Sequence, residues 1–372
     1  MSELIQQPRK ITDLKTLNKE QLLAFCKQLG LPRFRADQIF QWLYQKGVSS
    51  FDEMTNLSKD LREKLKEVAT INRIEPAAQQ KSQDGTIKFL FKLNDEEKDY
   101  KVEAVLIPDF YDDGVAKRLT VCVSSQVGCV FGCSFCATGK MGFFRNLSHG
   151  EVVDQVQYIN EVAEAEYGKK ITNIVYMGMG EPLHNYKTVV NSADIISDPL
   201  GIDLSPKRIT VSTVGLTKQI KQLADDSEPF NLAISLHAPS DEKRDKIMPI
   251  NASMNLDALE DAVRYYHRKT EKPITYEYLL FDGFNDTNED AKNLAKIVNW
   301  APSKVNIIMY NNVAGVELQR AREDRLNRFM KALLKHGVRA TVRRSRGDDI
   351  DAGCGQLAIR EGAPKGKTIA KA

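Results

Sequence analysis

Residues 123–139 read VSSQVGCVFGCSFCATG and hold three of the chain's six cysteines, Cys129, Cys133 and Cys136. Their spacing is C-x-x-x-C-x-x-C, directly after an apolar, β-branched run that reads as a strand. Thiolate sulfur in such a cluster suits zinc or an iron–sulfur centre. A structural zinc site takes four ligands. A four-iron cubane is usually held by four thiolates, so three leave one iron with an open position. A small molecule can bind there and receive an electron. On spacing alone the competing reading is a zinc site completed by Cys122, Cys354 or His149.

Outward from this loop the sequence changes character. From Leu119 onward, apolar stretches such as ITNIVYMGMG, RITVSTVG, FNLAISLHA, ITYEYLLF and KVNIIMYN alternate with helical patterns such as GEVVDQVQYINEVAEAEYG and LDALEDAVRYYHRK. Repeated βα units with apolar strands imply an α/β fold with a parallel, helix-covered sheet. Polar motifs gather at the strand C-terminal ends, the active face of β/α barrels, which favours a partial (β/α)6 barrel over an open doubly wound sheet. Upstream, LNKEQLLAFCKQLG, FRADQIFQWLYQKG and SKDLREKLKEVA are three amphipathic helices, with Cys26 expected in their core. TIKFLFKL and YKVEAVLIP flank a polar turn and read as a hairpin. The expected organisation is a helical accessory domain over residues 1–75, a β-hairpin connector over 76–118, the barrel over 119–346, and a cysteine-bearing loop with a basic tail over 347–372.

The 372 residues carry a net charge of only +3, so any surface for a polyanion must come from local clustering of Lys and Arg. The N-terminus is polar and unlike a signal peptide, and no apolar run is long enough to span a bilayer. A cytoplasmic, membrane-free protein is expected. There thiols stay reduced, so clustered cysteines point to metal or chemistry.

Four strand ends offer groups for a ligand beside the cysteine loop. Gly180 and Glu181 lie in MGMGEPL, Ser212 in TVSTVG, Ser235, Leu236 and His237 in ISLHA, and Asn311 in MYNNV. One such group alone is more often a satisfied strand-end residue, but four strand ends together make a shared pocket the better account. GMGEPL lacks the third glycine and helix start of a dinucleotide-binding loop. Two further cysteines stand apart: Cys122 within the strand before the loop, and Cys354 between glycines in RGDDIDAGCGQL.

The three-cysteine loop, with Phe135 before its last cysteine, resembles the signature of the radical S-adenosylmethionine (radical SAM) enzymes. Taken in order, CVSSQVGC, the cysteine loop, GFFRNLS, GMGEPL, SLHAP and RGDDIDAGCGQL resemble the RlmN family, bacterial enzymes that methylate carbon 2 of adenosine in RNA. The likeness also takes in FRADQIFQWLYQKGVSSFDEMTNLSK and so runs through nearly the whole chain. It implies that Cys129, Cys133 and Cys136 hold a [4Fe–4S] cluster, and that Gly180, Glu181, Ser212, Ser235, Leu236, His237 and Asn311 line a SAM site. It implies that Cys354 carries a methyl group, that Cys122 resolves a transient protein–RNA adduct, and that Glu103 accepts a proton. Two SAM molecules per turnover, 23S ribosomal RNA and tRNA as substrates, and an electron donor such as flavodoxin are implied in the same way. MYNNVAG departs from the Y-N-P-x-x-G run of many relatives. Arg339, Arg343, Arg344 and Arg346 are expected to contact RNA phosphates. The nearest alternative is a Cfr-like enzyme acting on carbon 8, against which RGDDID speaks. A two-cluster methylthiotransferase needs further N-terminal cysteines, and a zinc-stabilised RNA-binding module would be colourless.

Overall fold

The computed structural model describes residues 11–95 and 98–358; the basic tail from Glu361 lies outside them. Three helices open the chain: α1 (Lys19–Gln28), α2 (Arg33–Tyr44) and α3 (Lys59–Lys66). Each starts where its sequence dictates. Asn18 and Gln21 form a reciprocal capping box on α1, and Ser58 caps α3. Gly30 and Gly47, just past α1 and α2, adopt φ of +73° and +67°. Leu22, Cys26, Ile39, Phe40, Leu43 and Leu65 are buried, so Cys26 is a core thiol. Two short strands, β1 (Thr12–Asp13) and β2 (Ala69–Thr70), pair in parallel and close the unit.

One ten-stranded sheet forms the rest of the frame. Its antiparallel part comprises β3 (Glu75–Lys81), β4 (Ile87–Lys92), β5 (Lys101–Phe110) and β6 (Ala116–Cys122). The stretch read as a connector thus continues the main sheet, because β5 pairs along β6, the first parallel strand. Next come a small antiparallel pair, β7 (Gln126–Gly128) and β8 (Phe143–Asn146), and between them the short helix α4 (Ala137–Met141).

From there strands and helices alternate: α5 (His149–Tyr167), β9 (Asn173–Tyr176), α6 (Tyr186–Ser197), β10 (Ile209–Thr213), α7 (Thr217–Asp225), β11 (Asn231–Ser235), α8 (Asp241–Ile247), α9 (Leu256–Thr270), β12 (Ile274–Leu280), α10 (Asn288–Val298), β13 (Ser303–Met309), α11 (Glu323–Lys335) and β14 (Ala340–Arg343). β6 and β9 to β14 are all parallel, in sequential order. Six βα units and a last strand therefore make a parallel array from β6 to β14, and the whole sheet has β14 at one edge and β3 at the other. Phe89 and Phe91 of β4 meet Tyr158 of α5 edge-on, which fixes the outer face of the antiparallel part. The alternate side chains of these strands face inward.

The helical unit docks on α5 through a buried ion pair, Lys15 Nζ to Asp154 Oδ1 at 2.6 Å. Lys15 also donates to Gln157 Oε1 and lies 4.4 Å from the Tyr44 ring centre. A Cβ on Gly150 would stand 2.3 Å from the Lys15 carbonyl oxygen, so only glycine admits this approach. Among the described residues no helix is long and apolar enough to cross a membrane.

Candidate active site

The C-terminal ends of the parallel strands surround one cavity. Cys129, Cys133 and Cys136 all line it. Burial pushes the Cys129 thiol up to about 12 and raises Cys133 and Cys136; for Cys133 the neighbouring Cys129 and Cys136 charges add to the effect. Three thiolates crowded in a dry site persist only beside a cation. Among the described residues no three Cys, His, Asp or Glu groups converge as a single-ion site. Three thiols lining one cavity suit a cluster whose irons each take one sulfur. His149, weighed as a zinc ligand, instead faces the helical unit and bonds to the Leu17 backbone. Phe135 packs edge-on to His237, with ring centres 5.0 Å apart.

The groups expected to meet SAM stand opposite. Glu181 is buried; its Oε1 accepts from the Leu183 N–H at 3.0 Å and its Oε2 from the Val214 N–H at 2.9 Å. Burial raises it to about 7, against which these backbone bonds pull down. Gly180, at φ +98°, lines the cavity, but its lack of a side chain serves packing: a Cβ would lie 2.5 Å from that of Gln126. Gln126 Oε1 in turn accepts from the Glu181 N–H at 2.8 Å. Ser212 and Ser235 share a hydroxyl hydrogen bond of 3.2 Å at the cavity wall. His237, at φ +54°, accepts from the Leu279 N–H at Nδ1 (3.1 Å), which puts its proton on Nε2. Burial, with Arg244 nearby, lowers it to about 3, so the ring is neutral.

Two of the expected ligands differ. Leu236 is fully buried and outside the cavity lining; its carbonyl accepts from Arg244 Nη1 at 2.6 Å. Asn311 also lies outside the lining, donating to Gln356 Oε1 at 3.3 Å, while its own buried Oδ1 has no partner among the described residues. The divergent loop after Asn311 is held by Lys140 of α4, which donates to the Gly315 carbonyl at 2.6 Å.

Cys122 and Cys354 line this same cavity. Burial, together with the Cys354 charge, raises Cys122 to about 12. Cys354 is exposed and lines the cavity; burial raises its pKa, Arg343 lowers it and Glu277 raises it. Its loop is anchored at both ends. Gly347 N–H donates to Asp84 Oδ2 at 2.9 Å, and Ser82 Oγ to Asp349 Oδ1 at 2.6 Å. Downstream, Ala137 N–H donates to the Gly355 carbonyl, and Ala358 N–H to Glu103 Oε2 at 2.9 Å. Glu103 also pairs with Lys88 at 3.2 Å and lines a neighbouring cavity, not that of the cysteines.

Three features escaped sequence reasoning. Buried Arg244 links the ends of β10 and β11 through the carbonyls of Val214, Ser235 and Leu236. Glu277 of β12 lines the cavity with an unpartnered Oε2 among the described residues. Arg343, expected on RNA, is 41% exposed at its side chain and also reaches Glu277 Oε1 at 3.5 Å. Arg339 and Arg344 are exposed, and Arg346 sits 4.0 Å from Asp109.

A parallel β/α array with three thiols and a buried carboxylate at its strand ends defines a radical SAM enzyme. Residues 12–71 match the model of the ribosomal RNA large subunit methyltransferase N-terminal domain, and residues 123–296 that of the radical SAM superfamily. A probable dual-specificity RNA methyltransferase RlmN of Salinibacter ruber is 53% identical over 93% of this chain and 94% of its own length. The dual-specificity RNA methyltransferase RlmN of Nautilia profundicola is 43% identical over 92% and 96%. The crystal structure of a radical SAM methyltransferase from Sphaerobacter thermophilus superposes with a TM-score of 0.85 at 41% identity, over 93% of this chain and 99% of that one. The chain belongs to the RlmN family of radical SAM RNA methyltransferases. Enzymes of this superfamily work with a [4Fe–4S] cluster and SAM, and the donor set described above fits both. These relatives do not favour the Cfr-like alternative.

Proposed function

We propose that the enzyme methylates carbon 2 of adenosine in 23S ribosomal RNA and in tRNA. The observation that carries the reading is the meeting of Cys122 and Cys354 in the cavity lined by Cys129, Cys133 and Cys136. In this reading those three thiolates hold the cluster. Glu181 takes the ammonium of SAM, Gly180 lets the chain turn beneath it, and Ser212, Ser235 and His237 contact the rest, with Leu236 and Asn311 supporting the wall. Bound there, the cluster and two SAM molecules per turnover supply a methyl group and a hydrogen-abstracting radical.

Carbon 2 of adenine is electron-poor and does not attack an electrophilic methyl group. Cys354 therefore carries the methyl on its sulfur and, after losing one hydrogen atom from it, bonds through that carbon to the ring. Glu103 or Cys122 takes the ring proton, and the unpaired electron left on the ring passes to a one-electron acceptor, a role the bound cluster would supply. The Cys122 thiolate then attacks the Cys354 sulfur. The carbon–sulfur bond breaks, its electron pair passes to the base, the methylene carbon gains a proton, and a disulfide remains. That step needs Cα atoms about 4.4–6.8 Å apart. The N-terminal helical unit, with exposed Arg339 and Arg344, engages RNA phosphates. A reducing partner such as flavodoxin renews the thiols and supplies electrons in the cytoplasm. The test is mass spectrometry of digested RNA from cells with and without this chain. Loss of 2-methyladenosine on deletion is expected; loss of the 8-methyl isomer, or no change, overturns the reading.

A further inference from the structure

Cys354 stands at the corner of a closed turn. The Gln356 N–H donates to the Gly353 carbonyl at 3.0 Å, so residues 353–356 form a β-turn with Cys354 second and Gly355 third. Gly355, at φ +81°, takes the positive value that the third position of a type II turn requires. The Gln356 side chain closes the same turn from the other side, its Oε1 accepting from the Gly353 N–H at 2.9 Å. Gly353 and Gln356 thus exchange two hydrogen bonds around the residue that bears the thiol.

That one oxygen takes a second donor, Asn311 Nδ2, at 3.3 Å. The Gly353 backbone lies against the same amide: a Cβ there would stand 1.8 Å from Asn311 Nδ2. Gln356 and Asn311 are 5% and 2% exposed, so water does not compete for these bonds. Asn311 lies just past β13, and its neighbour Tyr310 donates its hydroxyl to the Phe135 carbonyl at 3.0 Å, one residue before Cys136. The dipeptide Tyr310–Asn311 therefore holds the loop of clustered thiols with one side chain and the Cys354 turn with the other.

Methylation of Cys354 is a displacement. Its sulfur bonds to the methyl carbon of SAM, the electron pair of the broken bond stays on the departing thioether, and the thiol proton leaves. Such a step depends steeply on where the nucleophile sits, and a misplacement of about 1 Å can cost on the order of a hundredfold. The glycines around Cys354 give the turn little stiffness of its own. The geometry points to Gln356 as a positioning residue of the enzyme: its amide oxygen, shared between the turn and Asn311, sets the place of the Cys354 sulfur relative to the cluster loop. This role rests on Cys354 as the methyl carrier, the reading proposed above.

The test compares two reactions of one thiol in the wild type, Gln356→Met and Gln356→Glu. Methylation of Cys354 in cluster-loaded enzyme needs an aligned sulfur; it involves no RNA atom and is followed without RNA over a range of SAM concentrations. Alkylation by iodoacetamide, a small reagent free in solution, needs no alignment and is followed without SAM. Both are read on the Cys354 peptide by mass spectrometry. Gln356→Met keeps the length of the side chain and removes the acceptor. Its methylation rate at saturating SAM should fall about tenfold, with half-saturation by SAM unchanged and alkylation no slower. Gln356→Glu restores an acceptor oxygen, and its rate should return to within about threefold of the wild type. Should Gln356→Met fail to fold, Gly353→Ala pushes the turn off the Asn311 amide and should show the same split. Unchanged methylation in the folded variants overturns the role, as does a Gln356→Glu enzyme as slow as Gln356→Met. An equal fall in methylation and alkylation overturns it too, since that marks a change in the thiol's access or acidity and not in its place. A wild-type enzyme whose Cys354 takes no methyl from SAM overturns the carrier reading itself, and this role with it.

Discussion

The backbone N–H of Ala137 donates to the carbonyl of Gly355 at 2.7 Å. Each residue is the direct neighbour of a reactive thiol, Cys136 on one side and Cys354 on the other. One hydrogen bond therefore ties the loop of the clustered thiols to the loop of the methyl carrier. A second bond runs alongside it, from Thr138 Oγ1 to the Leu357 carbonyl at 2.5 Å. The two glycines around Cys354 make its loop pliable, and these bonds limit where it can go.

Thr138→Val deletes that second bond with little change of shape. It leaves the Leu357 carbonyl without its donor, a local cost of about 1–3 kcal/mol. Cys354 should then be methylated roughly five- to tenfold more slowly, while the iron content stays at the wild-type level. Time courses of Cys354 methylation in cluster-loaded enzyme provide the measurement. An unaltered rate would mean that the loop is held by its other anchors, at Ser82, Asp84 and Glu103.

Glu181 gives a pH dependence with a defined sign. Its pKa is about 7 in the fold against an ordinary 4.5. Between these values the native state holds a proton that the unfolded chain has released, so this group's contribution to stability falls as pH rises through that window. The carboxylate that an ammonium needs is complete only above the folded value. SAM affinity should thus climb as pH rises from about 6 to about 8. Glu181→Gln should flatten that dependence and weaken binding by about 1.5–3 kcal/mol. Calorimetry across the range tests both, and equal slopes in the two proteins would remove Glu181 from the site.

The Lys15–Asp154 pair predicts a non-additive pair of substitutions. Burial lowers the Lys15 pKa and raises that of Asp154, so each charge depends on the other. Lys15→Met should cost about 3–5 kcal/mol by leaving a buried carboxylate uncompensated. Adding Asp154→Leu should recover part of the loss. Recovery stays incomplete because the Ile74 N–H, which donates to Asp154 Oδ2 at 3.0 Å, loses its acceptor. Denaturant unfolding of the single and double variants measures the coupling.

The parallel strands and most long helices were legible because apolar periodicity and caps agree with the fold. Lys15 and Arg244 were not. Arg244 sits in DEKRDKI, a run of charges that reads as a solvated helix, and only the packing of α8 beneath the ends of β10 and β11 shows that it is buried. Glu277 is the single carboxylate in ITYEYLLF, a signal the sequence itself carries. The thiol cluster and most of the pocket were legible from motif order. That β4 and β5 belong to the main sheet was not: β5 joins β6 through the short turn at Tyr111–Val115, and a hairpin looks the same in sequence whether or not it joins a larger sheet. The common face of Glu103 and Cys122 likewise emerges only from strand register, in which Val105, two residues from Glu103, opposes Cys122.

Cys122 and Cys354 line one cavity, yet the proposed chemistry gives them opposite phenotypes. Cys354 accepts the methyl, so Cys354→Ala should form no covalent protein–RNA species. Cys122 acts after the new carbon–carbon bond exists. It is fixed within β6, 8% exposed, while Cys354 rides on a glycine-flanked loop, an arrangement of one rigid and one pliable partner. Cys122→Ala should carry the reaction to the adduct and stop there, because nothing remains to attack the Cys354 sulfur. Protein purified from cells should then bear RNA that survives denaturation, disappears on nuclease treatment, and maps to the peptide containing Cys354. The Glu103→Gln variant separates the two candidate bases: if Glu103 takes the ring proton, Glu103→Gln should slow resolution and also accumulate adduct, whereas a base role for Cys122 leaves Glu103→Gln resolving normally. Cys122→Ala protein free of RNA would end the resolving assignment and return Cys122 to a core thiol beside the cluster.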